Sequence, residues 1–378
     1  MKILFVIDDY VSSNNGTTIS CRRFVSELQK LGHDVRILGI CNSEETKCFH
    51  LEQYHVPIFG GLIQKYDFKF AKIDSTILRN AIGWADLVHC MMPFALTYRC
   101  IPIIKELKKA STSAFHIQPE NILSAIHLAK CDFANRFLYA LWRKKIYRHF
   151  QYIHCPSMFM ANELKKQSYS GDIRAISNGI STDFTQLNHY KSIEYKDKII
   201  ITMVGRLARE KRQDLIINAV AKSKYSDKIQ IVFAGKGPLK DYYMNLAKAR
   251  TLKNSPQFVY YNQKELLDLL AQTDLYIHAS DMESEAIACI EAFATGLVPI
   301  ISDSKQSATK VFAVDKRSLF KAGDSDDLAR KIDYWLEHSE EKHLMEKQYA
   351  QLAIQYSLKS SVQKFVEMCE EAFDTLSK

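Results

Sequence analysis

The sequence predicts an α/β protein made of two tandem domains in which strands and helices alternate. Three observations carry that reading. The chain has 378 residues, beyond the length at which one hydrophobic core keeps growing. Apolar runs of strand length recur along it, each closed by polar residues, glycine or proline, and separated by segments with helical spacing. Near the middle, SNGISTDFTQLNHYKSIEYKD (177–197) follows neither period and reads as the connection. The boundaries are placed at 1–185 and 186–360, with 361–378 a C-terminal helix that packs back on the first domain.

Taken in order, KILFVI is a short apolar run closed by Asp8 and Asp9, as in a parallel strand covered on both faces. A polar loop, SSNNGTT, follows. Cys21, Phe24, Val25, Leu28 and Leu31 then recur at helical spacing, and Gly32 supplies a stop. DVRILGI is the next strand. That completes one βαβ unit, and such units build parallel sheets that bind ligands at the carboxyl ends of strands. ADLVHC, STSAFHI and YIHCPS continue the series. After the connection the pattern restarts with KIIITMV, the loop GRLAREKRQ and the helix DLIINAVAKS. IQIVFAG, FVYY and DLYIHAS are further strands, EAIACIEAFATG a helix and VPIIS a strand. SVQKFVEMCEEAFDTL closes the chain as an amphipathic helix. Two such domains imply a cleft between them, a common place for a ligand.

Composition removes several function classes. Hydrophobic residues make up 47% and charged residues 25%, as in an ordinary globular protein. The nine cysteines lie scattered without a CxxC pair, which predicts reduced thiols rather than a disulfide framework and argues against a zinc site. MKILFVIDDY is too short in its apolar part for a signal peptide, and no run approaches a membrane span. A cytoplasmic location follows, with peripheral contact to the inner face of the plasma membrane as its variant. The net charge of +8 is uneven: residues 1–190 carry 23 Lys and Arg against 16 Asp and Glu. A basic first half suits an anionic surface as well as general solubility, and no motif supports nucleic acid. Arg136, Arg143, Lys144, Lys145 and Arg148 lie among Phe137, Trp142 and Tyr147, a mixture fit for an anionic membrane. These basic residues spread over more than half of a helical wheel, so packing on the domain is the stronger expectation.

Two stretches carry chemistry. In VGRLAREKRQDLI a strand ends at Val204, Gly205 permits a tight turn, and Arg206 and Lys211 flank the start of a helix. A helix N-terminus with an arginine fork and a lysine is a site for a diphosphate. In HASDMESEAIACIEAFATGLVPII, Glu283 and Glu291 stand eight positions apart in an apolar setting. On one helix they would be separated by about 12 Å, longer than the roughly 5–9.5 Å of a glycosidase carboxylate pair; a loop at Glu283 would relax this. Hydroxyl-rich parts of one extended ligand suit them better. Ser284 is placed to cap the helix, and Glu285 to point to solvent at its start. Asp324-Ser325-Asp326 reads as a helix N-cap rather than a metal site, and no metal is expected. His154 reads as a core histidine, and His89, His127, His149 and His278 have no partner at ligand spacing. Tyr261 and Asn262 are candidates for contact with a nucleotide base.

The combination of GRLAREK, GKGP and E-SEAIACI-E resembles the retaining glycosyltransferases of the GT-B fold in the bacterial family four, glycosyl transferases group 1. The resemblance runs over nearly the whole chain: LGHDV, ADLVHC, the strand ending at His116 and SNGI fall in the family's order. It implies two Rossmann-like domains, the first on the acceptor side and the second binding the nucleotide sugar. It implies that Arg206 and Lys211 hold the donor diphosphate and that Glu291 binds the ribose. Glu283 would hold the transferring sugar, with the N–H groups of Ser284, Glu285, Ala286 and Ile287 beside it. His116 would face that sugar from the other domain, and Gly16 would bring backbone close to it. The reaction implied is transfer of a hexose with retention, from a UDP-hexose, without a metal or other cofactor, to a membrane lipid or envelope glycan. QPENI (118–122) is similar to the diacylglycerol glucosyltransferase branch. A sugar-nucleotide epimerase and a degenerate nucleotide-sugar-binding protein are the alternatives. The chain departs from the family at Asn15, where a glycine pair is usual, at Arg212, usually glycine, and at Ser284-Glu285-Ala286, usually Gly-Phe-Gly.

Overall fold

The computed structural model describes residues 1–12, 16–42, 47–55, 69–124, 128 and 131–376. Asn15 and His127 lie outside the described residues. The chain divides into two compact units, Met1–Gly179 with Leu358–Lys378, and Ile180–Ser357.

The first unit is built on a parallel sheet of β1 (Lys2–Asp9), β2 (Asp34–Ile40), β3 (Cys48–His50), β4 (Leu87–Cys90), β5 (Ala110–Ala114), β6 (Tyr152–Cys155) and β7 (Asp172–Ala175). Their order is β3-β2-β1-β4-β5-β6-β7. Ile3, Leu4, Phe5 and Val6 are all buried, which explains why β1 reads as an unbroken apolar run: both faces are covered. β3 and β7 do not stand out in the sequence because they are short edge strands with partly exposed residues. STSAFHI is a strand only to Ala114, so Phe115 and His116 lie just past its carboxyl end.

One sequence expectation is corrected here. Cys41, just after β2, and Cys48, the first residue of β3, form a disulfide with Cα atoms 6.5 Å apart. The parallel pairing of Ile37 with Cys48 brings the two cysteines together, and that pairing leaves no mark in the Cys spacing. The other seven thiols are free, six of them buried.

The last helix, Leu358–Leu376, belongs to this unit and buries Val362, Phe365, Val366, Met368 and Cys369. Phe365 is the centre of an aromatic cluster. Its ring lies 4.8 Å from His89, 5.7 Å from Phe5 and 5.5 Å from Phe24. His154 belongs to the same cluster and is hydrogen-bonded as a core residue, its Nε2 lying 2.7 Å from the Ile176 carbonyl.

The helix Asp132–Lys145 buries Asn135, Tyr139 and Trp142, the last two against Phe115. Its outer face exposes Phe133 (82%), Phe137 (62%) and Leu141 (38%), with Arg136, Lys144, Lys145 and then Arg148 exposed beside them. Arg143 is withdrawn from this basic set: its guanidinium donates to the Gln167 carbonyl at 2.8 Å. The exposed positive charge of this helix is thus carried by Arg136, Lys144 and Lys145, which still span about half of the helical wheel. Among the described residues, no helix is long and apolar enough to cross a membrane.

The second unit has a parallel sheet of β8 (Ile199–Val204), β9 (Ile229–Ala234), β10 (Gln257–Val259), β11 (Leu275–His278), β13 (Pro299–Ser302) and β15 (Leu319–Phe320), in the order β10-β9-β8-β11-β13-β15. The short strands β12 (Met282–Glu283) and β14 (Gln306–Ser307) pair beside it. The strand order reverses between β8 and β11, the switch point where open α/β sheets bind ligands beyond the carboxyl ends of their strands.

Phe365→Ala removes a fully buried ring from the first unit. It is expected to cost about 3–5 kcal/mol, read as a fall in the urea midpoint at unchanged m-value.

Candidate functional site

The candidate site is built at the carboxyl ends of β8 and β11. After Val204 the backbone turns at Gly205, and the GKGP loop that follows β9 packs directly against the turn. Leu207 N–H donates to Lys236 O at 2.9 Å. A Cβ on Gly237 would lie 2.3 Å from Leu207 O, and one on Gly235 2.1 Å from Gly205 O. These glycines are required because backbone meets backbone there. Arg209–Lys211 form one 3₁₀ turn, and the helix Gln213–Val220 begins after Arg212. The buried Gln213 side chain donates to Arg206 O at 2.9 Å, tying the turn to the first residue of the helix.

The structure brings Arg206, Lys211 and Glu283 to this place. Glu283 is not on a helix. It lies in β12, so the helical separation from Glu291 does not apply. Lys211 Nζ donates to Glu283 Oε1 at 2.5 Å, and His278 Nε2 lies 3.0 Å from the same oxygen. Tyr276 Oη stands 3.4 Å from His278 Nδ1. An ionised carboxylate only accepts, so His278 donates to Glu283 through Nε2. Burial alone would push the Glu283 carboxyl up; Lys211 and His278 outweigh it and hold the group well below the usual carboxylate range. Arg206 is paired in turn with Glu210 at 2.6 Å and keeps about a third of its side chain exposed (35%).

Glu291 lies in the following helix, Ile287–Ala294, and is buried. Burial pushes the Tyr276 phenol up, and the Glu283 carboxylate pushes it further.

The segment between them differs from expectation. The N-cap position is Ala286, with no side-chain cap, so Ser284 does not cap the helix. Glu285 is buried (2%) rather than turned to solvent, near Tyr356, whose phenol its charge helps to raise after burial itself. Ala286 (φ 68°) and Arg212 (φ 57°) both hold left-handed backbone, which costs roughly 1–2 kcal/mol for a residue with a Cβ. Ala286 and Arg212 are two of the places where the resemblance has glycine.

The remaining candidates are used differently. Asn262 caps the helix Gln263–Gln272 in a reciprocal box with Glu265, so its side chain is occupied; Tyr261 beside it is partly exposed (37%). Asp324 caps the helix Ser325–Glu337, accepting from the N–H groups of Asp326 and Asp327. Among the described residues, no group of three or more His, Cys, Asp or Glu is placed to hold a metal ion. In the first unit Gly16 is the exposed first residue of the helix Gly16–Lys30. His116 is buried, its ring 5.1 Å from that of His154. Burial and then His154 hold its imidazole well below the ordinary histidine value, so it is neutral near pH 7.

His278 is the residue that sequence reasoning missed. Its signal was present as His-x4-Glu in HASDME. It could be read only by knowing that β11 ends at His278 and that β12 folds back beside it.

Two Rossmann-like units with this placement of residues define a GT-B protein. HepE of Anabaena, solved with UDP, superposes at a TM-score of 0.77 over 98% of this chain and 100% of that one, at 15% identity. The model for Glycosyltransferase Family 4 matches residues 14–184, and that for Glycosyl transferases group 1 matches residues 185–352. The chain belongs to the family-four glycosyltransferases. It is 23% identical to an alpha-monoglucosyldiacylglycerol synthase of Streptococcus pneumoniae over 80% of this chain and 71% of that protein. It is 24% identical to a GDP-mannose-dependent alpha-mannosyltransferase of Corynebacterium glutamicum, over 80% and 72%.

The ion pair at Glu283 predicts a pH dependence. A depressed carboxyl contributes stability that is present above its ordinary value, near 4.5, and lost as pH falls through the folded value. The stability gap between wild type and Glu283→Gln should therefore be full at pH 6–7 and narrow as pH drops below about 4.5, measured by urea unfolding at each pH.

Proposed function

We propose that this glycosyltransferase moves a hexose, with retention, from a UDP-hexose to a membrane lipid or envelope glycan, without a metal. The observation that carries the reading is the Lys211–Glu283 pair with Arg206 at the switch point of the second sheet. Arg206 and Lys211 supply positive charge for a diphosphate, and the N–H groups at the start of the helix Ile287–Ala294 add to it. Glu283, held ionised, accepts from sugar hydroxyls, and Glu291 from the ribose. As the bond from C1 to the phosphate oxygen breaks, charge builds on the leaving diphosphate, and fixed cations stabilise it there. The acceptor hydroxyl adds to C1 on the same face and passes its proton to that phosphate oxygen. Glu283 is engaged by Lys211 and His278, which suits binding rather than nucleophilic attack. His116, neutral, serves as a hydrogen-bonding group and not as a cation. The Streptococcus pneumoniae relative, an alpha-monoglucosyldiacylglycerol synthase, supports a hexose and a lipid acceptor.

The test is transfer from a panel of UDP-, GDP- and ADP-sugars, with EDTA present, alongside thermal shift with each. One UDP-hexose is expected to support transfer and to stabilise the fold by about 2.7 kcal/mol at a hundred times its dissociation constant. Glu283→Ala should abolish transfer and leave UDP binding largely intact. Transfer from GDP-mannose alone would reassign the donor. Conversion of the donor without an acceptor would favour an epimerase, and binding without any turnover a degenerate binder.

For the acceptor side, the outer face of the helix Asp132–Lys145 supports an anionic membrane surface as partner and a peripheral location on the inner face of the plasma membrane. Three exposed apolar side chains lie in one stripe flanked by Arg136, Lys144 and Lys145, and each such cation near an anionic bilayer contributes about 1 kcal/mol. The chain is expected to co-sediment with vesicles containing phosphatidylglycerol and not with phosphatidylcholine alone. A Phe133→Ala, Phe137→Ala variant should lose most of that binding while its melting temperature stays unchanged. Equal binding to neutral vesicles, or none to either, would remove the membrane from the reading.

A further inference from the structure

Arg212 occupies left-handed backbone that glycine fills without strain, so its side chain is expected to have a use that glycine could not serve. Its guanidinium joins the first turn of the helix Gln213–Val220 to the loop after β11. Nε and Nη2 donate to the two oxygens of Asp214, each at 3.1 Å, and Nη1 donates to Asp281 Oδ2 at 2.9 Å. Asp281 is itself fastened on both sides: its N–H donates to Glu210 O at 2.8 Å, and its carbonyl accepts from Ser304 Oγ at 2.6 Å.

The chain neighbours make this arrangement pointed. Arg212 directly follows Lys211, and Asp281 precedes Glu283 by two residues. The Arg212–Asp281 bridge therefore runs beside the Lys211–Glu283 bridge and joins the same two loops. The two bridges differ in what a ligand would do to them. Lys211 and Glu283 are the groups a donor would engage, so their mutual bond must loosen or be shared when it binds. Arg212 and Asp281 are not among those donor-binding groups, and Arg212 already commits three N–H groups to two carboxylates.

We infer that Arg212 is a positioning residue that, through Asp281, keeps the Lys211 turn and the Glu283 strand in register when the donor takes over the Lys211–Glu283 contact. This rests on the reading of Lys211 and Glu283 as donor-binding groups. The chemistry is general: a fork held by two carboxylates fixes both distance and orientation, which a lysine or a glycine at this place would not.

The test uses the full chain with Arg212→Gly, Asp281→Asn and the double variant. Arg212→Gly relieves the backbone, so its melting temperature should hold or rise, which separates positioning from simple folding. The Asp281 amide should exchange at least about tenfold faster, and affinity for UDP-glucose should fall by about tenfold, the effect expected of one charge-assisted hydrogen bond. In transfer assays KM for the donor should rise while KM for the acceptor does not. The double variant should be no worse than either single one, because both remove the same bridge. Unchanged exchange at Asp281 in Arg212→Gly would overturn the inference; so would faster exchange with unchanged donor affinity. If the wild type binds no nucleotide sugar, the proposed function fails, the donor-positioning role fails with it, and the exchange measurement still decides whether the bridge orders the two loops.

Discussion

The second unit depends on one buried carboxylate. Glu283 is almost removed from solvent, and a buried charge is tolerated only with partners. Lys211 and His278 supply them from two different strand ends. That requirement organises the neighbourhood: β8 and β11 must be adjacent, as the pairing of Ile201 with Leu275 makes them. The turn after β8 must also be narrow enough for Lys211 to reach across. Gly235 and Gly237 allow the loop beneath to close on that turn, Gln213 ties it to the helix, and Tyr276 backs His278 from the core. The same pair gives the site its chemical character. Under the proposed function, a lysine and a glutamate already bonded to each other form a preorganised place for a ligand that carries both anionic and hydroxyl groups.

The first unit follows a different logic. Apart from Asp8 and Asp9 at the end of β1, its buried titratable groups include a set of imidazoles. His89 bonds to Thr112 and His154 to the Ile176 carbonyl, while His116 packs against His154. Desolvation keeps all three neutral, so a core with three histidines does not have to pay for three charges. The C-terminal helix completes it, since Phe365 reaches the rings of His89, Phe5 and Phe24. A chain that crosses into a second unit and returns uses its last nineteen-residue helix to finish the core with which it began.

Much of this was legible beforehand. The strands with both faces covered announced themselves as unbroken apolar runs, and the Gly-Arg and Glu-x7-Glu stretches fell where the sheet order reverses. What misled was local reasoning at places governed by distant neighbours. Ser284 had the chemistry of a cap, yet the helix starts after Ala286. Glu285 had the charge of an exposed first-turn residue, yet it is buried near Tyr356. Cys41 and Cys48 had no telling spacing, yet β2 and β3 pair in a register that joins them. His278 had no partner by spacing, yet it touches the central glutamate.

The sequence by itself determined the alternation of strand and helix, the division into two units, and the identity of the residues at the ends of β8 and β11. Those features rest on periodicity and on short motifs, both local properties of the chain. Only the tertiary structure decided who pairs with whom: Lys211 with Glu283, His278 behind them, Arg212 with Asp281, and Arg143 withdrawn from the exposed basic residues of its helix. Such pairings depend on register and on which loops meet, and residues sixty or more positions apart carry no local signal of that meeting.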